Sequence, residues 1–502
     1  MKLSNKTLRW TVVGLCSGAA IRVFVFAAAF PFFNNVDEQA HVDLVVKYSH
    51  GRVPREVEPF APEPALYFAV YSTPEYFVPP SEYGGQYPPP NWLISAEERQ
   101  KILDDEIPFW ESRANHESGE PPLYYGLAGR WMNLGHAFGL RGLVLLYWVR
   151  FLNVAFAVAL VGIGFKAARI IFPERQFPAL AVATLLAIWP QSSFYSIQGD
   201  SLSPITFGLA FIALARFLPS ERSNVLLAAW IGLAVAATCL VKTANLPLVF
   251  VVAVAVVFKT TQLTRKRELP QALLILAAFV VSVMVPLGIW FAWNQNHFGD
   301  LSATKAKIDI LGWTAKPFTE WWSHPIFRPA GAKNFWAELI ASFWRGEFIW
   351  HHERMATWWS DAFYWTGSTL ALAIAVWSLL AHRRSEPNSG ILWFALFSFA
   401  SLVGFLVLLS IRFDFGDCPY PSRAHPYFTS GRLLNAAAVP FFVLFAYAIE
   451  RVADWTKRES LRWILLGAIV LLTLTWQLSI NAPVFSSAYN FFHRPAIRPA
   501  LK

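Results

Sequence analysis

Asp37 and Glu38 stand together just behind an apolar run that ends at Phe33, and His41 follows one helical turn after Asp37. A short helix there shows Asp37 and His41 on one face. A carboxylate at such a boundary can work as a general base, because partial burial tunes its pKa and an apolar floor keeps water from a reacting hydroxyl. The plainer reading is an acidic helix end in water. Asp200, in the turn Gln198-Gly199-Asp200-Ser201, offers a second acid and equally an N-cap for the helix that follows. Lys242, in Val241-Lys242-Thr243, closes another apolar run, where a cation either meets an anion at headgroup level or snorkels. Arg432, in Ser430-Gly431-Arg432-Leu433, can fork onto an oxyanion with two parallel hydrogen bonds.

The elements that must position these residues are membrane spans. The chain is 55% hydrophobic and only 15% charged, with a mean hydropathy of +0.39, which is off the balance of a soluble protein. Apolar runs long enough to cross roughly 30 Å of hydrocarbon recur from one end to the other. A net charge of +9 could suggest nucleic acid, yet the Lys and Arg fall in short clusters between apolar runs, as the positive-inside rule produces. Cys16 and Cys239 lie inside such runs and leave Cys418 without a partner, so no disulfide framework is expected. Lys2, Lys6 and Arg9 precede the first run, which continues to Phe33 without a small-residue cleavage site. It reads as a retained helix with a cytoplasmic N-terminus.

Charge bookkeeping then sets the organisation: a first helix over 1–33, a first outer loop with juxtamembrane helices over 34–140, a transmembrane core over 141–293, a Trp-rich outer loop over 294–364, spans over 365–480 with an outer loop at 412–432, and an outer tail over 481–502. The first loop is polar, rich in Pro and Tyr, and holds the acidic cluster Asp104-Asp105-Glu106. Within it, 121–139 carries Arg130, Asn133 and His136 and reads as an interfacial helix, which lets the next span end inside at Lys166, Arg169 and Arg175. Spans fall at 10–33, 142–165, 177–197, 201–218, 224–241, 245–262, 271–293, 365–381, 391–411, 433–450 and 462–480, about eleven in all. Turns at Arg265-Lys266-Arg267, Arg383-Arg384 and Lys457-Arg458 land inside. The expected fold is thus an all-α polytopic membrane protein.

Arg22 and Arg150 lie deeper than either face, where a cation is costly and either pairs across helices or lines a cavity. Arg150, nearer the outer half, is the better candidate to meet an anion. The Trp of the second loop, among them Trp313, Trp322, Trp344 and Trp358, suit stacking on sugar faces or an interfacial belt. His351-His352-Glu353 lacks metal-ligand spacing. With no Walker loop and no dinucleotide fingerprint, a nucleotide donor on the cytoplasmic side is not expected. No internal repeat stands out, which weighs against a transporter.

A first helix ending in an Asp-Glu pair with a nearby His, a long outer loop, and Pro121-Pro122-Leu123-Tyr124-Tyr125 opening an interfacial helix together resemble the GT-C superfamily of polyprenyl-phosphate-sugar-dependent glycosyltransferases. Protein O-mannosyltransferases and the aminoarabinose transferase of lipid A belong to it. The stretch 342–348 (Ser-Phe-Trp-Arg-Gly-Glu-Phe) and the Ser-Gly-Arg-Leu at 430–433 look like a bacterial branch. The resemblance spans most of the chain and rests on the order of short motifs.

It implies an inverting transferase of the bacterial inner membrane that moves a sugar from a polyprenyl-phosphate donor to a saccharide, lipid or protein acceptor at the outer face. It implies Asp37 as base with Glu38 and His41 beside it, Asp200 facing the same cavity, and Tyr124 and Tyr125 near the substrate. Lys242 looks like the Lys that contacts the donor phosphate in the lipid A enzyme, joined by Arg432 and Arg150. That enzyme has a Lys where Glu120 precedes Pro121, and His116 is near enough to substitute. The departing lipid phosphate is already anionic, so no metal or other cofactor is required, and partners are lipids rather than nucleic acid. The alternatives are a transporter or polymerase-like protein for lipid-linked saccharides, or a non-catalytic membrane subunit.

Overall fold

Helix α1 (Asn5–Ala29) starts on Ser4, whose hydroxyl accepts from Thr7 N at 3.1 Å, and closes just before Pro31, which cannot continue the ladder. The computed structural model describes residues 3–220, 224–381 and 388–493. The Arg383-Arg384 turn and tail residues 494–502 lie outside the described residues.

Stretch 34–140 is folded rather than loose. It holds α2 (Glu38–Ser49), α3 (Pro62–Tyr71), α4 (Ala96–Glu111, with a Ser95/Glu98 capping box) and α5 (Pro122–Ala137). Helix α5 lies against α2 so closely that a Cβ on Gly129 would come within 2.8 Å of Ser49 N, so only glycine lets the two backbones meet. Its composition keeps α5 out of the apolar spans, as its Arg130, Asn133 and His136 anticipate.

The bundle follows: α6 (Gly142–Arg150), α7 (Leu152–Ile171), α8 (Gln176–Ile188), α9 (Ser203–Phe217), α10 (Val225–Val241), α11 (Pro247–Arg265) and α12 (Leu269–Phe298). The second loop contributes α13 (Thr304–Ile310), α14 (Phe318–Trp321) and α15 (Pro329–Arg345), and the chain closes with α16 (Trp358–Ala381), α17 (Ser389–Arg412), α18 (Ala438–Thr456) and α19 (Glu459–Phe485). Among the described residues nine helical segments are long and apolar enough to cross a membrane, and the shorter α8 and α10 are apolar too. Each expected span falls on one of these. The span expected over 177–197 stops at Ile188 instead, because Trp189 precedes Pro190 and takes extended backbone, and the chain then doubles back through short 3-10 turns to Ser201.

Helix α18 is apolar and buried all round from Ala438 to Ile449 and sits at the centre, packed on α8, α16 and α17, whereas α12 and α19 turn rows of Leu, Ile and Val outward. That outward face is what a helix presents to lipid. Arg22 of α1 donates to the Ala187 carbonyl (2.9 Å) and the Tyr195 hydroxyl (2.6 Å), so it bridges helices. Two two-stranded pairs tie the loops: Thr314–Ala315 runs antiparallel to Phe413–Asp414, and Ile349–Trp350 to Glu353–Arg354. His351 and His352 form the turn of the second pair with positive φ, and His352 Nδ1 lies 3.0 Å from the Phe77 carbonyl. This is an all-α polytopic membrane protein.

Candidate functional site

The turn between α1 and α2 carries two left-handed residues, Phe33 (φ 67) and Asp37 (φ 62), a geometry costly for a Phe. Glu38 holds it. Its fully buried carboxylate accepts from Phe33 N at 2.8 Å, Asn34 Nδ2 at 2.9 Å and Ile197 N at 2.8 Å. Arg150 adds three bonds of 2.7, 2.8 and 3.2 Å to the same carboxylate. The guanidinium also donates to the carbonyls of Ala27, Phe30 and Pro31 and lies 3.7 Å over the Phe32 ring. The outcome differs from the expectation for both residues. Glu38 is spent on the turn instead of standing beside the base, and Arg150 caps the last carbonyls of α1 instead of waiting for a phosphate.

Asp37 points the other way. Its side chain is 36% exposed, with Arg432 at 3.3 Å on one oxygen and His116 Nε2 at 3.6 Å from the other. Burial resists its ionisation, but the His116 bond and the Arg432 charge outweigh it and hold the carboxyl well below the usual carboxylate range. His116 Nε2 is also 3.6 Å from Glu117, so it bridges two carboxylates rather than standing free for a phosphate. Burial presses its pKa down, yet the Asp37 bond and the Glu117 charge leave it raised.

Glu117 is buried and takes Lys307 Nζ at 2.7 Å on both oxygens, and Lys307 lies 3.7 Å from Glu120. Lys307 comes from α13, so the Trp-rich segment is pinned over the first loop. Burial pushes Glu120 up to about 7 against the pull of Lys242.

The second wing comes from the later helices. Asp200 and Lys242, both buried, pair at 3.3 Å. Arg432 donates at 3.1 Å to the Val36 carbonyl and at 3.1 Å to Gln198 Oε1. Glu347 accepts from Ser430 Oγ at 2.8 Å and from Arg432 N at 3.3 Å. It reaches them from the turn at Gly346 (φ 85), where a Cβ would run into Ser192. Thus Asp37, His116, Asp200, Lys242 and Arg432 meet at one end of the bundle.

His41 is buried beneath them, with its Nδ1 2.7 Å from the Tyr125 hydroxyl. Burial lowers its pKa to about 4, so the ring is neutral. Tyr124 and Tyr125 are both buried, Tyr124 against Gly199. The resemblance implies a place near the substrate for both, but both rings are closed off from the surface. Asp37, His116 and Glu117 present three ligand atoms within 4.8 Å of one another, a donor set that suits a divalent cation. Lys307 and Arg432 already balance those carboxylates, so a cation would have to displace them. Sequence reading missed Glu117, Lys307, Gln198 and Glu347. The His-Glu dipeptide ahead of Pro121-Pro122 was the one available signal for Glu117.

Fold and site together define a multi-pass membrane protein with a cluster of ion-paired side chains at its loop-bearing end. The chain belongs to the family described as "Predicted membrane protein (DUF2142)", which matches residues 21–414. No curated protein matches the sequence. Among solved structures, the chain is similar to the oligosaccharyltransferase AglB of Archaeoglobus fulgidus in complex with an inhibitory peptide and a dolichol-phosphate (12% identity, TM-score 0.46, covering 96% of this chain and 56% of that one). It is also similar to the same enzyme in complex with Zn and sulfate (12% identity, TM-score 0.43, covering 93% and 53%). A third is ArnT of Cupriavidus metallidurans bound to undecaprenyl phosphate (14% identity, TM-score 0.33, covering 88% and 78%). The chain spans just over half the length of the archaeal enzyme.

Proposed function

We propose that this chain is a membrane glycosyltransferase that moves a sugar from a polyprenyl-phosphate donor to an acceptor hydroxyl at the outer face of a bacterial inner membrane, with its N-terminus cytoplasmic. The observation that carries the reading is Asp37: a part-exposed carboxylate 3.3 Å from Arg432, whose guanidinium also bonds Gln198, two residues before the Asp200 that pairs with Lys242. Base and phosphate-binding cations stand side by side, as transfer from a lipid phosphate requires.

In this reading the acceptor oxygen attacks the anomeric carbon in line, the bond from that carbon to the phosphate oxygen breaks, and Asp37 takes the hydroxyl proton. Lys242 and Arg432 stabilise the phosphate that departs. A carboxylate clamped by Arg432 and His116 is a weak base. Donor phosphate competes for Arg432, and as that contact turns to phosphate, Asp37 gains basicity beside the sugar that needs it. Asp200 holds the Lys242 ammonium in place until phosphate arrives.

The test is a reconstituted assay with a radiolabelled pool of polyprenyl-phosphate sugars, comparing wild type with Asp37→Asn. Product from wild type alone is expected, and equal product from both removes Asp37 as base. No product with any donor points instead to a carrier of lipid-linked saccharides. Cysteine introduced at Arg169 should label only from the cytoplasmic side; labelling from outside overturns the orientation.

A further inference from the structure

Most of the Arg432 guanidinium is already committed. Nε lies 3.3 Å from Ser430 Oγ, and Nη1 donates to the Val36 carbonyl and to Gln198 Oε1, both at 3.1 Å. Nη2 gives one hydrogen to Asp37 at 3.3 Å. A guanidinium carries five N–H donors, so one Nη2–H is left without a partner among the described residues. The contacts on Nε and Nη1 thus turn the Nη2 edge toward Asp37. This pair meets the surface, since the side chain of Arg432 is 15% exposed and that of Asp37 36%.

Ser430 accepts from Nε only if its own hydrogen points elsewhere. Glu347 takes that hydrogen, with both carboxylate oxygens 2.8 Å from Ser430 Oγ. A carboxylate can only accept, so the hydroxyl donates to it, and the lone pairs of Oγ are left for Arg432 Nε. The same carboxylate accepts from Arg432 N at 3.3 Å and stands 3.9 Å from Nε. Glu347 therefore holds Arg432 by its backbone and by its guanidinium. Among the described residues it forms no other ion pair.

Glu347 is itself locked in place. Its carbonyl accepts from Asn35 Nδ2 at 2.9 Å, and Asn35 Oδ1 accepts from Ile349 N at 3.0 Å. The turn after α15 is thereby stitched to the turn that presents Asp37. On its other side, Arg345 Nη1 donates to the Gly346 carbonyl at 2.7 Å, while Arg345 is anchored on Asp361 of α16 by bonds of 2.7 and 2.9 Å. Three distant turns, at 34–37, 346–349 and 430–432, converge on this one carboxylate.

We infer that Glu347 is a positioning residue for the proposed transfer: through the Ser430 hydroxyl and the Arg432 backbone it fixes the guanidinium so that the Nη2 edge is offered to an anionic oxygen of the lipid-linked donor. The inference rests on the proposed function for that ligand. Glu347 touches neither donor nor acceptor, and its effect passes through Arg432. An arginine ordered during folding does not have to be ordered again by the ligand, so orientation is gained as affinity.

The test measures binding of undecaprenyl phosphate to the full chain in lipid nanodiscs. Charge alone predicts that Glu347→Gln binds this anion more tightly, because a carboxylate beside the phosphate is gone. Loss of orientation predicts the opposite sign, about tenfold weaker binding. Ser430→Ala, which changes no charge and breaks the same relay, should weaken binding in the same direction, and Ser430→Thr, which keeps the hydroxyl, should bind like wild type. With Arg432→Gln already in place, adding Glu347→Gln or Ser430→Ala should weaken binding little further. A wild type that does not bind the probe overturns the proposed function and this inference with it. A wild type that binds overturns this inference alone if Ser430→Ala equals it, if Glu347→Gln binds more tightly, or if the losses simply add to that of Arg432→Gln. Should Glu347→Gln fail to fold, the Ser430 variants decide by the same criteria.

Discussion

Asp37 and Glu38 are neighbours of the same chemical type, and the fold gives them opposite fates. Glu38 opens α2 pointing inward, reaches zero exposure and collects donors from Phe33, Asn34, Ile197 and Arg150. Asp37, one residue earlier and in left-handed backbone, turns toward the surface, and among the described residues its side chain keeps only the 3.3 Å contact with Arg432 and the 3.6 Å approach of His116. The saturated carboxylate builds the turn, and the under-bonded one is free to work. A carboxylate that exhausts its lone pairs on protein donors has nothing left to offer a substrate proton. Adjacent acids thus take opposite directions, one into the turn and one out of it, at a residue with left-handed backbone.

That division breaks most visibly in activity. Asp37→Asn should lower transfer by about 10²–10⁴-fold, the range of a general base, while its loss of folding stability stays well below that of a Glu38 variant, because the side chain is 36% exposed and its ion pairs are screened by water. A comparable loss of folding stability in Asp37→Asn would erase the distinction. The converse variant, Glu38→Gln, removes the partner of a fully buried guanidinium. Breaking such a pair costs about 3–5 kcal/mol, so unfolding by denaturant in detergent should shift strongly. The double variant with Arg150→Met should lose less than the two single losses added together, since the uncompensated charge leaves with its partner. Additivity would show that the pair is not one unit.

The split between the two acids was not legible in the sequence, and the reason is physical. The spans could be read because a lipid-facing or core helix must be apolar over its whole length, and cations must stay at the faces. The span expected over 177–197 is too long because Pro190 ends α8 at Ile188, and those expected over 271–293 and 462–480 are too short, since α12 and α19 continue past their apolar stretches. Asp37, Asp200, Lys242 and Arg432 were visible because each is a charge at the end of an apolar run. The partners of Glu38 and Glu117 were not: Arg150 is 112 positions from Glu38, and Lys307 reaches Glu117 across 190. No local periodicity encodes such pairings, so an arginine that caps α1 and an arginine that waits for phosphate look alike until the helices are packed.

The remaining contrast is electrostatic and is read by titration. Arg432 and His116 hold the Asp37 carboxyl below its ordinary range, so its ionised form persists to lower pH than a free aspartate. Its contribution to stability is complete above the unfolded pKa of about 3.9 and is lost as pH falls through the lower folded value. His116 runs the opposite way: with its pKa raised, its contribution is complete below about 6.5 and fades as pH climbs through the folded value. The acid limb of kcat/KM should therefore lie below pH 4 in wild type. In His116→Gln it should move upward by about one unit, because one of the two positive partners of Asp37 is gone. The glutamine side chain can still donate a hydrogen bond, so a shift of this kind isolates the charge from the bond. An unchanged limb would mean that Arg432 alone sets the basicity of Asp37. Arg432→Gln should move the limb further than His116→Gln, because the Arg432 charge acts on Asp37 more strongly than the His116 charge does, at the additional expense of donor binding.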